Sequence, residues 1–329
     1  MKHQQAVANV ARSLARNARP EDRVLIVLDS GMDPAVGEIL AAAAEQRGLM
    51  HDVLSSAPAP APNAEPDAKV ADAFLRHDLI MLATSVPVAH TAAVRRADEA
   101  GARFIVMDGV SSDMLAAGAA NADYGIVHEL GLVLEQRWNK ARHVRVSSEF
   151  GTDFEADVTG RESWRWDGTV FEAEWFSLTG CAFPDGEVGI APLEGSGNGT
   201  VVWDASAHSL GLLRDPVRLV VENGWITAVD GGSQARELAD RLAALDDQNS
   251  YYCPAEIAIG INEAARITGT LREDKKALGT VHIACGTNID LGGTIAAKVH
   301  IDGLIRKPTL WMDDELIVDC GRLAPEVVA

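Results

Sequence analysis

The residues of this chain whose types and spacing could do chemistry gather between positions 254 and 321. The run KVHIDG places His300 and Asp302 two apart in an apolar, strand-like setting. Residues i and i+2 of a strand share a face, so the imidazole and the carboxylate converge. Earlier in the chain, TVHIA sets His282 in a second short apolar strand, and Glu256 opens AEIAIG. An acid facing a core needs a partner, and a divalent metal suits two histidines with carboxylates. The same spacing describes a histidine merely hydrogen-bonded to an acid, and the residues alone leave both readings open.

Three other features carry weaker signals. EGSGNGT (194–200) is glycine-dense, but its spacing is not GxGxxG and no Lys-Ser/Thr follows, so it reads as a turn between strands. His90, in ATSVPVAHTAA, follows a strand end where ligands of open α/β sheets gather, and could transfer a proton. ESWRWDGTVFEAEWF (162–176) contains Trp164, Trp166 and Trp175. Trp164 and Trp166 alternate on a strand and could stack on a flat substrate, though core or subunit-interface packing is the commoner reason for such residues.

The elements that must position these residues change character along the chain. Helical spacing over 3–17, 33–47, 68–76 and 88–100 alternates with strand-like runs at 23–31, 51–56, 78–85 and 103–108. APAPAPNAEPD (57–67) is a proline-rich loop. Repeated strand–helix–strand units predict an open, mostly parallel α/β domain over 1–140. From 141 to 329 short strands, glycines and tryptophans dominate, with a hairpin around Glu222-Asn223-Gly224 and one helix at 233–245. This second part reads as a mixed α+β domain carrying the metal site.

Composition bounds the partners. The 329 residues hold 29 basic and 48 acidic side chains, a net charge of −19. That charge repels phosphate backbones and anionic membrane surfaces, so neither nucleic acid nor a membrane is expected as a partner. Cys181, Cys253, Cys285 and Cys320 include no CxxC pair, and no apolar run is long enough to span a bilayer. A reduced, cytoplasmic protein is the resulting expectation.

FPDGEVGIAP, SGNGTVVWD, AEIAIGIN with EAARITG, EDKKALGTVHIACG and VHIDG follow one another over residues 181 to 321. In this order they resemble the aminopeptidase T (thermophilic leucyl aminopeptidase) metallopeptidases. The resemblance implies two divalent ions held by Glu187, Glu256, His282, His300 and Asp302, with zinc, manganese or cobalt as the metal. It implies a hydrolase acting on an amide or related C–N bond of a small molecule or short peptide, with Glu187 or Glu256 accepting a proton from metal-activated water. The tyrosine those enzymes use after the first histidine is missing, since ACGTNIDLGG offers only Asn288 or Asp290. The chain also resembles the shorter 2,5-dihydroxypyridine 5,6-dioxygenases, which hold a single Fe(II). That alternative implies a triad of His282, His300 and Asp302, with His90 moving protons. Both resemblances imply a homo-oligomer, and a non-catalytic oligomer that kept the fold is the third reading.

Overall fold

The computed structural model describes residues 1–170 and 180–328. Trp175 therefore lies outside the described residues. The chain forms two units, the first Met1–Tyr124 with Trp166–Asp185 and the second Gly125–Arg165 with Gly186–Ala329.

The first unit is a five-stranded parallel sheet in the order Met50–Ser56, Arg23–Asp29, Leu79–Ala83, Arg103–Val106 and Gly180–Ala182. Its interior strand RVLIVLD is buried beyond its first residue, as a parallel strand covered on both faces must be. Helices Lys2–Asn17, Pro34–Gln46, Ala68–Phe74 and Ala92–Glu99 accompany the strands. Asp33, Asp67 and Thr91 cap three of them by accepting first-turn backbone N–H groups. Leu25, Val27, Phe74, Ile80, Leu82 and Phe104 form part of one core of this unit. The open parallel α/β reading of this half matches the structure.

The second unit holds two sheets. One has eight strands, in the order Trp225–Gly231, Val217–Glu222, Asn198–Trp203, Asp153–Asp157, His143–Ser147, Thr309–Met312, Glu315–Asp319 and Arg322–Leu323. Asn223 and Gly224 both take positive φ, as the tight turn between its first two strands requires. The other has seven strands, in the order Gly211–Leu212, Ser206–Ala207, His300–Ile305, Val281–Gly286, Glu256–Gly260, Glu187–Ile190 and Ser163–Trp166. The helix Ser233–Ala244 completes the mixed α+β character.

Between these sheets Trp203 is fully buried, and its Nε1 donates to the Ile283 carbonyl at 3.1 Å. A Cβ on Gly303 would fall inside the Trp203 indole. Gly303→Ala is therefore expected to destabilise the protein by about 1–3 kcal/mol, the usual cost of overpacking. At this chain size that lowers Tm by several degrees. Calorimetry reads it directly, and an unchanged Tm would mean the indole moves aside freely.

Among the described residues, no helix is long and apolar enough to cross a membrane.

Candidate metal centre

Four neighbouring antiparallel strands present the candidate residues. Their register pairs Glu187 with Gly260, Gly189 with Ala258, Ala258 with His282, Ala284 with both Glu256 and Asp302, and Gly286 with His300. Paired residues of an antiparallel ladder point to the same face, and successive pairs two apart keep it. Glu187, Glu256, His282, His300 and Asp302 therefore all lie on one face of the seven-stranded sheet. The intervening positions on that face are Gly189, Ala258, Ala284 and Gly286, so small residues separate the large polar ones. Trp164 is buried, and its indole packs against Gly189. Trp166 is half-buried at the end of its strand and is counted in the first unit.

The five residues form two overlapping groups that share Glu256. In one, Glu187 and Glu256 meet His282; in the other, Glu256 and Asp302 meet His300. The register explains the division. His282 stands opposite Ala258, between the levels of Glu187 and Glu256, while His300 and Asp302 sit at the Glu256 end of the ladder. His282 is thus not brought into the same group as His300 and Asp302.

Hydrogen bonding separates the two histidines chemically. His300 Nδ1 lies 2.8 Å from the Thr287 carbonyl oxygen, which only accepts, so that nitrogen carries the hydrogen. Its Nε2 is left facing Glu256 Oε2 at 3.0 Å and Asp302 Oδ1 at 2.9 Å. Burial alone would lower the pKa of this ring, yet Asp302 and Glu256 outweigh it and hold it well above the ordinary value. The position calls for positive charge, and an imidazole oriented by a carbonyl beside two carboxylates is how proteins present a ligand to a divalent cation. His282 has the opposite pattern. Among the described residues its Nδ1 is buried with no hydrogen-bond partner, and its Nε2 lies 2.7 Å from Glu256 Oε1. The hydrogen thus sits on Nε2 and is donated to Glu256.

Two lysines that the sequence reading did not single out complete the group. A loop after the short helix Leu271–Asp274 delivers them, held by Arg266 on Glu273 at 2.9 Å and by Thr268 and Gly269 N–H groups on Asp274. Lys276 Nζ lies 2.5 Å from Glu187 Oε1, an ion pair without hydrogen-bond geometry. Lys275 Nζ lies 3.1 Å from Asp302 Oδ2 and 3.5 Å from Glu187 Oε1. Burial opposes the charge of Lys275, but Asp302, Glu187 and Glu256 outweigh it and hold its pKa well above the usual value. Burial likewise pushes the Glu256 and Asp302 carboxyls up, and Lys275 with the histidines overrides it and keeps both ionised. The signal for these lysines was a matter of charge: three inward carboxylates need more cation than two imidazoles supply, and EDKKALG is the nearest basic run.

The other candidates stand on other elements of the chain. His90 belongs to the first unit, in the turn before Ala92–Glu99, where its backbone N–H donates to Asn63 and its carbonyl accepts from Arg95. Asn288 ties its own loop together by accepting from the Ile295 N–H, and Asp290 is exposed.

Comparison with known proteins places this geometry in context. The family model described as NicX, 2,5-dihydroxypyridine 5,6-dioxygenase, matches residues 16–325. A 2,5-dihydroxypyridine 5,6-dioxygenase of Pseudomonas putida is 27% identical over 218 residues, which is 59% of this chain and 58% of that protein. The match thus spans less than two thirds of that relative. The solved structure of a 2,5-dihydroxypyridine dioxygenase from Pseudomonas putida superposes with a TM-score of 0.84 at 20% identity, covering 99% of each chain. Wild-type AmpT from Thermus thermophilus superposes with a TM-score of 0.64 at 15% identity, covering 98% of this chain and 99% of that one. Both superpositions concern the fold. The metal-dependent hydrolase expected from the sequence is corrected here: the family match over residues 16–325 runs to the dioxygenases, and the peptidase likeness is one of fold. The misreading has a physical root, since a shared fold does not fix the reaction performed on it.

Proposed function

The chain belongs to the 2,5-dihydroxypyridine 5,6-dioxygenase family, and from that premise we propose that it is an Fe(II)-dependent enzyme opening the ring of a dihydroxypyridine-like N-heterocycle with dioxygen. The observation that supports this reading most is the convergence of Glu256, His300 and Asp302 at one place on a sheet. This set has one histidine fewer than the two-histidine, one-carboxylate triad of non-haem Fe(II) oxygenases, and its imidazole and carboxylate oxygens are donors suited to a divalent first-row metal. Bound there, the iron would supply the redox-active centre at which dioxygen and a hydroxylated ring react.

The chain's own residues have distinct tasks in this reading. Thr287 fixes the ring of His300 so that Nε2 faces inward. Asp302 and Glu256 supply the negative charge that draws a cation in. His282 donates to Glu256 and aims its other oxygen at His300. Glu256, His282, His300 and Asp302 stand on hydrogen-bonded strands rather than loops, which keeps the donor atoms in register.

His282→Ala therefore leaves all three proposed ligands in place but releases Glu256. It is expected to weaken Fe(II) binding by about 10–100-fold, the range typical of groups that orient a ligand. Titration with Fe(II) under anaerobic conditions measures this, and an unaltered affinity would remove His282 from the role.

The whole reading is tested with an oxygen electrode. The iron-loaded chain, given 2,5-dihydroxypyridine, should consume dioxygen in step with loss of the ring chromophore. Ring loss without oxygen uptake would overturn the reading.

A further inference from the structure

The row of residues that carries the metal group continues one strand further than the group itself. Ala207 pairs with Gly303, and the His208 N–H donates to the Asp302 carbonyl at 2.9 Å. That register sets His208 opposite Asp302, as Asp302 stands opposite Ala284 and Ala284 opposite Glu256. Paired residues of an antiparallel ladder share a face, with Cβ atoms about 4.5–5.5 Å apart. The His208 side chain therefore stands on the face of Glu256, His300 and Asp302. Gly303 turns the other way, toward the Trp203 indole.

The backbone of His208 is held from two sides. The sheet fixes one, and the helix Ser233–Ala244 fixes the other. In the turn that follows, Ser209 and Gly211 take positive φ. The Ser209 carbonyl accepts from Arg241 at 3.3 Å, and Gln234 Nε2 donates to the Leu210 and Leu212 carbonyls at 2.9 and 3.0 Å. The ring has no such ties. Among the described residues its imidazole makes no hydrogen bond or ion pair, and it belongs to neither group of converging donors. His208 is exposed, whereas Glu256 and Asp302 are buried. Desolvation by the surrounding chain lowers its pKa; Asp302 opposes this, and His300, Lys275 and Arg241 add to it. The ring thus lies within the field of the metal group without being one of its donors.

We propose that His208 is a substrate-binding residue, whose imidazole hydrogen-bonds one ring oxygen of a hydroxylated N-heterocycle seated over Glu256, His300 and Asp302. A flat ring with two oxygens needs a polar group beside the metal group to fix which oxygen faces which way. His208 stands at the exposed end of the row, where a ligand reaches it from solvent. A neutral imidazole offers one donor and one acceptor, so it suits a hydroxyl or the carbonyl of its pyridone form alike.

This inference rests on the ring-opening reading above, and the test separates the two. Without dioxygen, calorimetric titration of the iron-loaded full-length protein with 2,5-dihydroxypyridine reads affinity alone. His208→Ala should weaken that binding about 3–10-fold, the loss of one net hydrogen bond, while Fe(II) affinity stays the same. His208→Gln, which keeps a donor and an acceptor, should recover most of the loss. 2-Hydroxypyridine and 3-hydroxypyridine each keep one of the two ring oxygens, and the one lacking the oxygen held by His208 should bind the unaltered and alanine proteins equally. Should the alanine variant not fold, His208→Leu, which fills the space without a polar atom, takes its place. Equal affinity of the unaltered and variant proteins for 2,5-dihydroxypyridine would overturn the inference, as would a matching loss of Fe(II) affinity. Binding that depends on His208 in a protein that consumes no dioxygen would overturn the ring-opening reading and leave this inference standing. No binding by the unaltered protein would overturn both.

Discussion

Replacing Asp302 by asparagine is expected to lower Fe(II) affinity by more than about 100-fold, because loss of a ligand must exceed the 10–100-fold typical of groups that merely orient one. Asparagine keeps the shape of the side chain and removes its charge. Two neighbours feel that loss at once: His300 Nε2, 2.9 Å from Asp302 Oδ1, and Lys275 Nζ, 3.1 Å from Oδ2. Asp302 is 4% exposed, so water does not take over either contact. Breaking a buried ion pair at one partner costs about 3–5 kcal/mol, and the variant should unfold at lower temperature as well as bind iron poorly. Anaerobic Fe(II) titration and thermal unfolding of the same sample read the two effects separately. Tight iron binding by folded Asp302→Asn would remove Asp302 from the ligand set.

The second large effect is expected on exchange of the metal. Dialysis against a chelator should abolish oxygen-dependent loss of 2,5-dihydroxypyridine, and added Fe(II) should restore it. Zn(II) suits the same imidazole and carboxylate donors but has no redox chemistry, so it should occupy the group and leave activity more than about 100-fold lower, scaled to loss of a catalytic step. Assays of chelated, iron-reloaded and zinc-loaded protein make the comparison. Equal turnover with zinc would speak for a reaction that needs no redox change at the metal.

Much of the first unit was legible in the sequence because its strands are buried on both faces. RVLIVLD and DLIMLATS read as continuous apolar runs, and the helices expected from 33, 68 and 88 begin at Pro34, Ala68 and Ala92. The strand Gly180–Ala182 was not legible. Three residues carry no periodicity, and only pairing with Arg103–Val106 reveals that the chain returns there. For the metal group, spacing placed His300 and Asp302 on one face because period two is local to a strand. Which histidine stands beside which acid depends on register between strands, and spacing along the chain contains none of that. Hence His282 was grouped with His300 and Asp302, whereas the ladder sets it opposite Ala258, beside Glu187 and Glu256. Lys275 and Lys276 escaped notice for a related reason. A lysine pair after a short helix reads as solvated surface, and only the tertiary fold turns it onto buried carboxylates. The reaction was misjudged because Glu187 and Glu256 together were taken as ligands of a two-metal hydrolase, while the structure sets Glu187 against lysines.

The central claim, ring opening by insertion of dioxygen, is tested most directly by running the reaction of iron-loaded protein with 2,5-dihydroxypyridine under isotopically heavy dioxygen. Mass spectrometry of the open-chain product should find both atoms of one dioxygen molecule in it. A product whose new oxygen atoms come from water would contradict the account.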